Sequence, residues 1–509
     1  MRFAGLSLLV LFVVALALPA QEPTKNDLLF AIEKQLQAVH ESAGPSVGCV
    51  VVSRSEQYPK PVRASDVPGT LGVFDPVQFL KNNPRAKPLL AVSLDLSRTE
   101  NIPDHGFACG VVIDEKGLVL TPYHVIEGAT KIYVHLPGRV GSYADIHAAD
   151  ARTDLAVLRL STPPAGLKAI KFADVRLDER GTRRATVTVG KLVVLVANAY
   201  ASNFPVDKPS ASLGSVTNVR HHLTTKGREN LPRLNSYYDF GPFLEHEAKL
   251  NTGISGAALL NLDGEMIGLT TTAPILGLGE KTPEYALPIT EPVLRMIHVL
   301  RRGEEFEGGA LGVALDKDSV VISGVLPLGP AAKAGLRRND TITHVNGAPV
   351  TRYEELLGHI GPAIAGTKVT LTVRGVQNRG DIVLTLGKWQ HDRPVIASVR
   401  PAPVFGLRVD HDSILAQRVG DNAQAILENT VKGIPEGVSV REVANDSPAA
   451  TAFKKVGDRP ERWLITHVNG DTVTTPTEFY AATKGQKAIK LTVIDPTEAM
   501  RPQREVSFP

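Results

Sequence analysis

The spacing of apolar positions changes several times along this 509-residue chain, and each change marks an element. Residues 8–18 form an unbroken apolar run after Arg2 and before Pro19-Ala20-Gln21. The run is short of the ~20 apolar residues a spanning helix needs, so it reads as an export signal cleaved after Ala20. An uncleaved anchor taking in the weaker stretch 3–18 is the alternative. Asn26-Asp27 then precedes Leu28, Leu29, Ile32, Leu36 and Val39, a helical spacing with a capping residue at its start, and Gly44-Pro45 should end the helix. From residue 47 the period shortens. Apolar, β-branched runs at 47–52, 110–113, 118–121, 132–136, 155–160, 193–196 and 257–260 predict an all-β barrel or sandwich. Residues 53–104, rich in Pro, Lys, Arg and Asp, are too long for a tight hairpin turn and read as an inserted loop.

A repeat occupies the C-terminal part. Ile342-Thr-His-Val-Asn-Gly347 recurs as Ile465-Thr-His-Val-Asn-Gly470, and a Pro-Ala-Ala segment precedes each copy, at Pro330 and at Pro448. Both copies are followed by a predicted helix (353–360 and 477–482) and an alternating strand (369–373 and 489–493), so one module is present twice. The second copy carries an insertion of five residues between its two motifs. Module boundaries fall near 303–309 and 387–403.

Length suggests about three domains at ~100–200 residues each. Hydrophobic residues make up 43% and charged residues 21%, values of ordinary globular domains. A net charge of +3 without a basic block excludes a nucleic-acid footprint. Cys49 and Cys109 sit in apolar contexts at no zinc spacing, and whether they pair is left open by sequence, which fixes no distance between them. His221-His222 lacks ligand partners nearby and reads as solvated loop, so no metal is expected.

Three segments together carry chemistry. Residues 110–129 form a strand, a turn and a second strand ending at His124; Thr153-Asp154-Leu-Ala-Val-Leu-Arg-Leu160 places an acid at the mouth of an apolar strand; and Gly253-Ile-Ser255-Gly256 is a glycine-flanked turn leading into a strand. Any one of these is commonplace. In order, they supply the base, the orienting carboxylate and the nucleophile that peptide hydrolysis by serine requires. The Thr-x-x-His-Val, Thr-Asp-Leu-Ala-Val and Ser-Gly signatures resemble those of the HtrA (Deg) family of trypsin-like proteases with C-terminal PDZ domains. The chain order His, Asp, Ser is that of chymotrypsin. The resemblance implies a mainly β chain with the following parts: a signal peptide (1–20), a trypsin-like double β-barrel protease domain (21–302), a first PDZ domain (308–388) and a divergent second one (401–509).

By the same resemblance, His124 is the base and then the acid, Asp154 holds its tautomer, Ser255 attacks, and the backbone N–H groups of Gly253 and Ser255 form the oxyanion hole. Two departures stand out: Gly253-Ile254-Ser255-Gly256-Ala257-Ala258 stands where the family has Gly-Asn-Ser-Gly-Gly-Pro, and Ala197-Asn-Ala-Tyr-Ala201 replaces Gly-Asn-Pro-Phe-Gly. Leu250, Tyr285 and Leu287 are expected at the pocket for the residue before the scissile bond, favouring small or medium aliphatic side chains, with Glu247 and Glu284 near in sequence. Leu311-Gly312-Val313 and Phe405-Gly406-Leu407 are the expected carboxylate-binding loops of the PDZ domains. The implied protein is an exported, periplasmic or extracytoplasmic endopeptidase. It needs no cofactor, acts on unfolded proteins, binds peptide C-termini and works as a homo-oligomer, touching a membrane only if the signal is an uncleaved anchor. The rival is a protease-fold chaperone or scaffold that binds peptides without cleaving them.

Overall fold

A computed structural model describes residues 25–54, 96, 106–174, 187–198, 208–220, 237, 241–250, 253–271, 284–316, 319–375, 380–390, 395–418, 435–457, 459–498 and 502–508. The expected export signal, most of the 53–104 insertion and His221-His222 lie outside them. No helix among the described residues is long and apolar enough to cross a membrane.

The β-branched runs fold into two antiparallel barrels. The first contains β1 (Val47–Ser53), β2 (Phe107–Asp114), β3 (Leu118–Pro122), β4 (Lys131–Leu136), β5 (Val140–Asp150) and β6 (Leu155–Leu160), in the order β5-β4-β1-β2-β3-β6 and closed by β5 on β6. The second closes as β10-β11-β12-β9-β8-β7, formed by β7 (Leu192–Ala197), β8 (Ser210–Arg220), β9 (Phe243–His246), β10 (Ala258–Leu260), β11 (Met266–Thr271) and β12 (Glu284–Pro288). Strand alternation divides the side chains between two cores. In β6, Ala156 and Leu158 fill the first barrel with Val50, Val112 and Val134. Leu155 and Val157 instead meet Val194, Val196, Ala258 and Leu269 of the second barrel. Because strands buried on both faces glue the barrels together, the loops at their junction have a rigid base.

Helix α1 (Lys25–Ala43) forms as its spacing predicts, but only its C-terminal part packs. Val39 and Ala43 are buried in the inter-barrel core, while Leu28, Leu29, Phe30 and Ile32 remain exposed because the first turns reach no other element's core. The single turn α2 (Tyr123–Ile126) follows β3, and α3 (Glu291–Arg301) closes the second barrel. Thr290 caps α3 by accepting from the Val293 N–H, and Val293, Met296, Ile297 and Leu300 recur on its buried face.

The first repeat contains β13 (Gly309–Ala310), β14 (Val313–Leu315), β15 (Ile322–Val325), β16 (Thr341–Val345), β17 (Ala348–Pro349), α4 (Tyr353–Ile360), β18 (Lys368–Arg374), β19 (Asp381–Thr385) and β20 (Gly387–Lys388). The second contains β22 (Leu407–His411), β23 (Val438–Val443), β24 (Leu464–Val468), β25 (Asp471–Thr472), α5 (Pro476–Thr483), β26 (Ile489–Ile494) and β27 (Arg504–Phe508), preceded by β21 (Ile396–Ala397). The repeated Asn-Gly pairs turn β16 into β17 and β24 into β25. Both residues of each pair have positive φ, as a two-residue hairpin demands. Their Asn side chains accept from Thr370 and Lys490 of the neighbouring strand at 2.9 and 2.8 Å.

Among the contacts that the described residues make between the modules and the barrels, a strand pairing and an ionic cluster are prominent. Strand β21 extends the first barrel by pairing with β5. The ammonium of Lys388, 3% exposed, meets carboxylates of Glu305 (2.7 Å), Glu307 (3.0 Å) and Asp410 (3.1 Å), with Arg441 on Glu305 at 2.7 Å. This cluster ties the connection after α3 to both repeats.

Candidate active site

His124, Asp154 and Ser255, distant in sequence, meet where the barrels join. The histidine does not end a strand as its motif suggested. Pro122 has no N–H to continue the β-ladder and sits at the N-cap, so the chain turns into α2 and His124 projects from that turn. Asp154 precedes β6 in the left-handed region, at φ 55°. It is held there because its carbonyl accepts from Tyr123 N at 3.0 Å and its Oδ1 from His124 N at 2.8 Å. Asp154 Oδ2 lies 2.7 Å from His124 Nδ1, and His124 Nε2 lies 2.9 Å from Ser255 Oγ. Asp154 is 7% exposed, so water competes little for these bonds. The arrangement is a relay in which a proton on Nδ1 faces the carboxylate and a lone pair on Nε2 faces the hydroxyl.

The turn bearing Ser255 is clamped from both barrels. Gly253 (φ 67°) and Gly256 (φ 84°) adopt conformations that L side chains rarely adopt, and a Cβ on Gly256 would lie 2.1 Å from the Cys109 carbonyl. Cys109 N donates to the Ser255 carbonyl at 2.8 Å, and Gly256 N to the Thr270 carbonyl at 2.8 Å. Thr270 Oγ1 accepts from Ala257 N at 2.9 Å and donates to the Ile254 carbonyl. Ile254 points away from the nucleophile into the second barrel's core with Leu195, Leu244 and Leu259, so it leaves the turn's backbone in place. Among the described residues nothing accepts from the N–H of Gly253 or Ser255.

The three expected pocket residues are not gathered on one surface. Leu250 packs with Ala248, Ile254 and Ala286, whereas Leu287 and Tyr285 belong to the inter-barrel core. The period of two in β12 puts Ala286 on the face that Tyr285 and Leu287 leave. Glu247 is exposed and bonded to Ser215, and Glu284 is half-buried, where burial raises its pKa against the pull of Lys249. Sequence reasoning missed Thr270, whose role depends on strand pairing that no local motif announces.

The two glycine loops of the repeats are built alike. The Leu311 and Phe405 carbonyls accept from Ala331 and Ala449, at 2.9 and 3.0 Å, and those of Gly312 and Gly406 from Leu326 and Ala444, both at 2.8 Å. They differ in what remains available. Strand β14 pairs only with β15, and among the described residues no strand covers its other edge beside the 311–313 loop. In the second repeat Leu407 N donates to the Val404 carbonyl at 2.8 Å and Val409 N to Tyr480 Oη at 3.4 Å, while Phe405 stacks on Phe508 at 5.7 Å. That module satisfies internally two donors that an added peptide strand would use.

Comparison with known proteins finds the same two kinds of domain. The trypsin-like peptidase domain family matches residues 108–269 and the PDZ domain family residues 321–375. The chain is 29% identical over 367 residues to the periplasmic serine endoprotease DegP of Escherichia coli K12, covering 69% of this chain and 67% of that protein. It is 27% identical over 464 residues to a probable periplasmic serine endoprotease DegP-like of Pseudomonas savastanoi, covering 87% of each. The periplasmic pH-dependent serine endoprotease DegQ of Escherichia coli K12 is 27% identical over 402 residues, or 76% of this chain and 77% of that one.

Proposed function

The chain belongs to the HtrA family of trypsin-like serine proteases with PDZ domains, and from that premise we propose that it is an exported, periplasmic endopeptidase that cleaves unfolded or damaged proteins. The observation that carries this reading is the continuous line from Asp154 Oδ2 through His124 to Ser255 Oγ, at 2.7 and 2.9 Å. His124 Nε2 takes the hydroxyl proton as Ser255 Oγ attacks the scissile carbonyl, then returns it to the leaving amine. Asp154 keeps the proton of His124 on Nδ1 and stabilises the imidazolium. The Gly253 and Ser255 N–H groups receive the oxyanion. Water then attacks the acyl-enzyme by the same route in reverse. Leu250 and Ala286, both apolar, favour an aliphatic residue before the cleaved bond.

The first repeat is the peptide receptor in this reading. A substrate C-terminus adds to the open edge of β14, its carboxylate held at the Leu311-Gly312-Val313 loop. The second repeat, with Leu407 and Val409 already engaged, serves assembly or packing. Copies of the chain associate, and the PDZ modules present substrates to the barrels of the assembly.

The test compares the mature chain with Ser255→Ala on reduced, carboxymethylated casein, alongside labelling of both by a fluorophosphonate. Cleavage and labelling that disappear together in the variant support the endopeptidase. A parent chain that neither cleaves nor labels, with a PDZ-binding peptide present, makes the protein a peptide-binding chaperone instead.

A further inference from the structure

Beneath the nucleophile turn lies a thiol for which the proposed mechanism has no use. Cys109, fully buried in β2, meets the turn at its backbone N–H and at its side chain. Its Sγ is 3.1 Å from the Gly253 carbonyl and 3.7 Å from that of Asn198, and it accepts from Asn198 N at 3.3 Å. The single S–H proton therefore goes to Gly253, the nearer acceptor. Burial pushes this thiol up to about 12, the Asn198 N–H opposing only in part, so it keeps a proton to donate throughout the neutral range.

The Gly253 carbonyl lies on the Gly253–Ile254 peptide plane, which links Gly253, bearer of one oxyanion N–H, to the next plane, which carries the Ser255 N–H. Gly253 lacks a side chain and sits at φ 67°, and the backbone clamps on the turn fall further along it, on the Ile254 and Ser255 carbonyls and the Gly256 N–H. A donor fixed in a barrel strand restrains the Gly253–Ile254 plane. Building on the serine protease reading, we propose that Cys109 is a positioning residue, its thiol hydrogen bond to Gly253 holding the turn so that the Gly253 and Ser255 N–H groups converge on the oxyanion.

The hold is also removable. Val52 N donates to the Gly106 carbonyl at 2.7 Å, so alternation along β1 and β2 makes Cys49 and Cys109, which face each other, a non-hydrogen-bonded pair. Cα atoms of such pairs are ~4.5 Å apart, within the ~4.4–6.8 Å that a disulfide bridges. Both thiols are fully buried, so a disulfide oxidant such as oxidised glutathione accomplishes this by exchange only when local opening of β1 and β2 admits it. One cysteine thiolate attacks the oxidant's S–S bond and releases one glutathione, and the second cysteine then displaces the other. The pair loses two protons and two electrons, and two glutathione thiols are formed. Cys109 Sγ then has no proton for Gly253.

The experiment measures the second-order rate of fluorophosphonate labelling, and kcat and KM on casein, for the full mature chain and for Cys109→Ala, Cys109→Ser and Cys49→Ala, with thermal midpoints as a check on folding. Cys109→Ala is expected to label about tenfold more slowly, with kcat lowered and KM unchanged, the size of one modest hydrogen bond. Cys109→Ser, which keeps a donor, recovers most of the rate, and Cys49→Ala labels like the parent under reducing conditions. Oxidation to the intramolecular disulfide, seen as loss of two hydrogens in intact mass, slows the parent, and reductant restores it. Equal rates for Cys109→Ala and the parent, no rescue by Cys109→Ser, or a bridged parent at full rate overturns the positioning role alone. A parent chain that does not label at all removes the serine protease reading and this role with it.

Discussion

Replacing Asp154 by Asn tests the relay at its least visible point. The carboxylate accepts from the His124 backbone N–H at Oδ1 and from Nδ1–H at Oδ2. An Asn in the same place has one oxygen and one NH2. Its oxygen must stay on the backbone N–H, because an NH2 there would set two donors against each other. The NH2 then faces His124 Nδ1, which must accept, so the ring proton moves to Nε2 and points at Ser255 Oγ. The histidine in that tautomer cannot take the hydroxyl proton. Asn tolerates the left-handed backbone at φ 55° as well as Asp does, so the fold should be unaffected. The expected loss in kcat is about 10⁴-fold, equivalent to ~5 kcal/mol of transition-state stabilisation. Fluorophosphonate labelling and casein turnover near pH 7.5 should fall together, with KM and the thermal midpoint close to those of the parent. A loss below about tenfold would refute the tautomer argument.

Gly256→Ala places a Cβ 2.1 Å from the Cys109 carbonyl in a strand that cannot retreat, so labelling should vanish and stability drop by at least about 2 kcal/mol, read from denaturant unfolding. Lys388→Met leaves the carboxylates of Glu305 and Asp410 to Arg441 and that of Glu307 to His411. It should cost about 3 kcal/mol in the unfolding of the repeats, followed through Trp389 and Trp463, and a shift under ~1 kcal/mol would count against the cluster as a tie. His246 is 1% exposed, and burial lowers its pKa from 6.5 to about 4, offset in part by a backbone contact at Ala248. Its contribution is fully present above pH 6.5 and is lost as the pH falls through about 4, because the unfolded chain binds the proton first. Unfolding midpoints of His246→Leu should therefore depend less steeply on pH across that window than those of the parent.

How much of this was legible beforehand depended on whether the information was local. The strand at 155–160, the turn at 253–256, the twin Asn-Gly hairpins and α5 are specified by period, glycine and capping residues within a few positions. The trypsin-like order of His124, Asp154 and Ser255 could be read because each lies in a motif of its own strand. The helical turn that carries His124 was missed, since Pro122 is compatible with ending a strand and with capping a helix, and only the contact with Asp154 selects the second. The pocket residues were grouped by proximity along β12, whereas strand alternation sends Ala286 to the opposite face from Tyr285 and Leu287.

By itself, then, the sequence determined the modules, their order and the chemistry available to them, because hydrophobic period and turn residues act over a few positions of chain. Tertiary structure alone decided that Cys109 lies under Gly253, that Cys49 faces it, and that Lys388 gathers carboxylates from positions 305, 307 and 410. These contacts follow from the register of paired strands and the packing of separate barrels and modules. Register is set by the burial of whole faces at once, a property that no short stretch of chain contains.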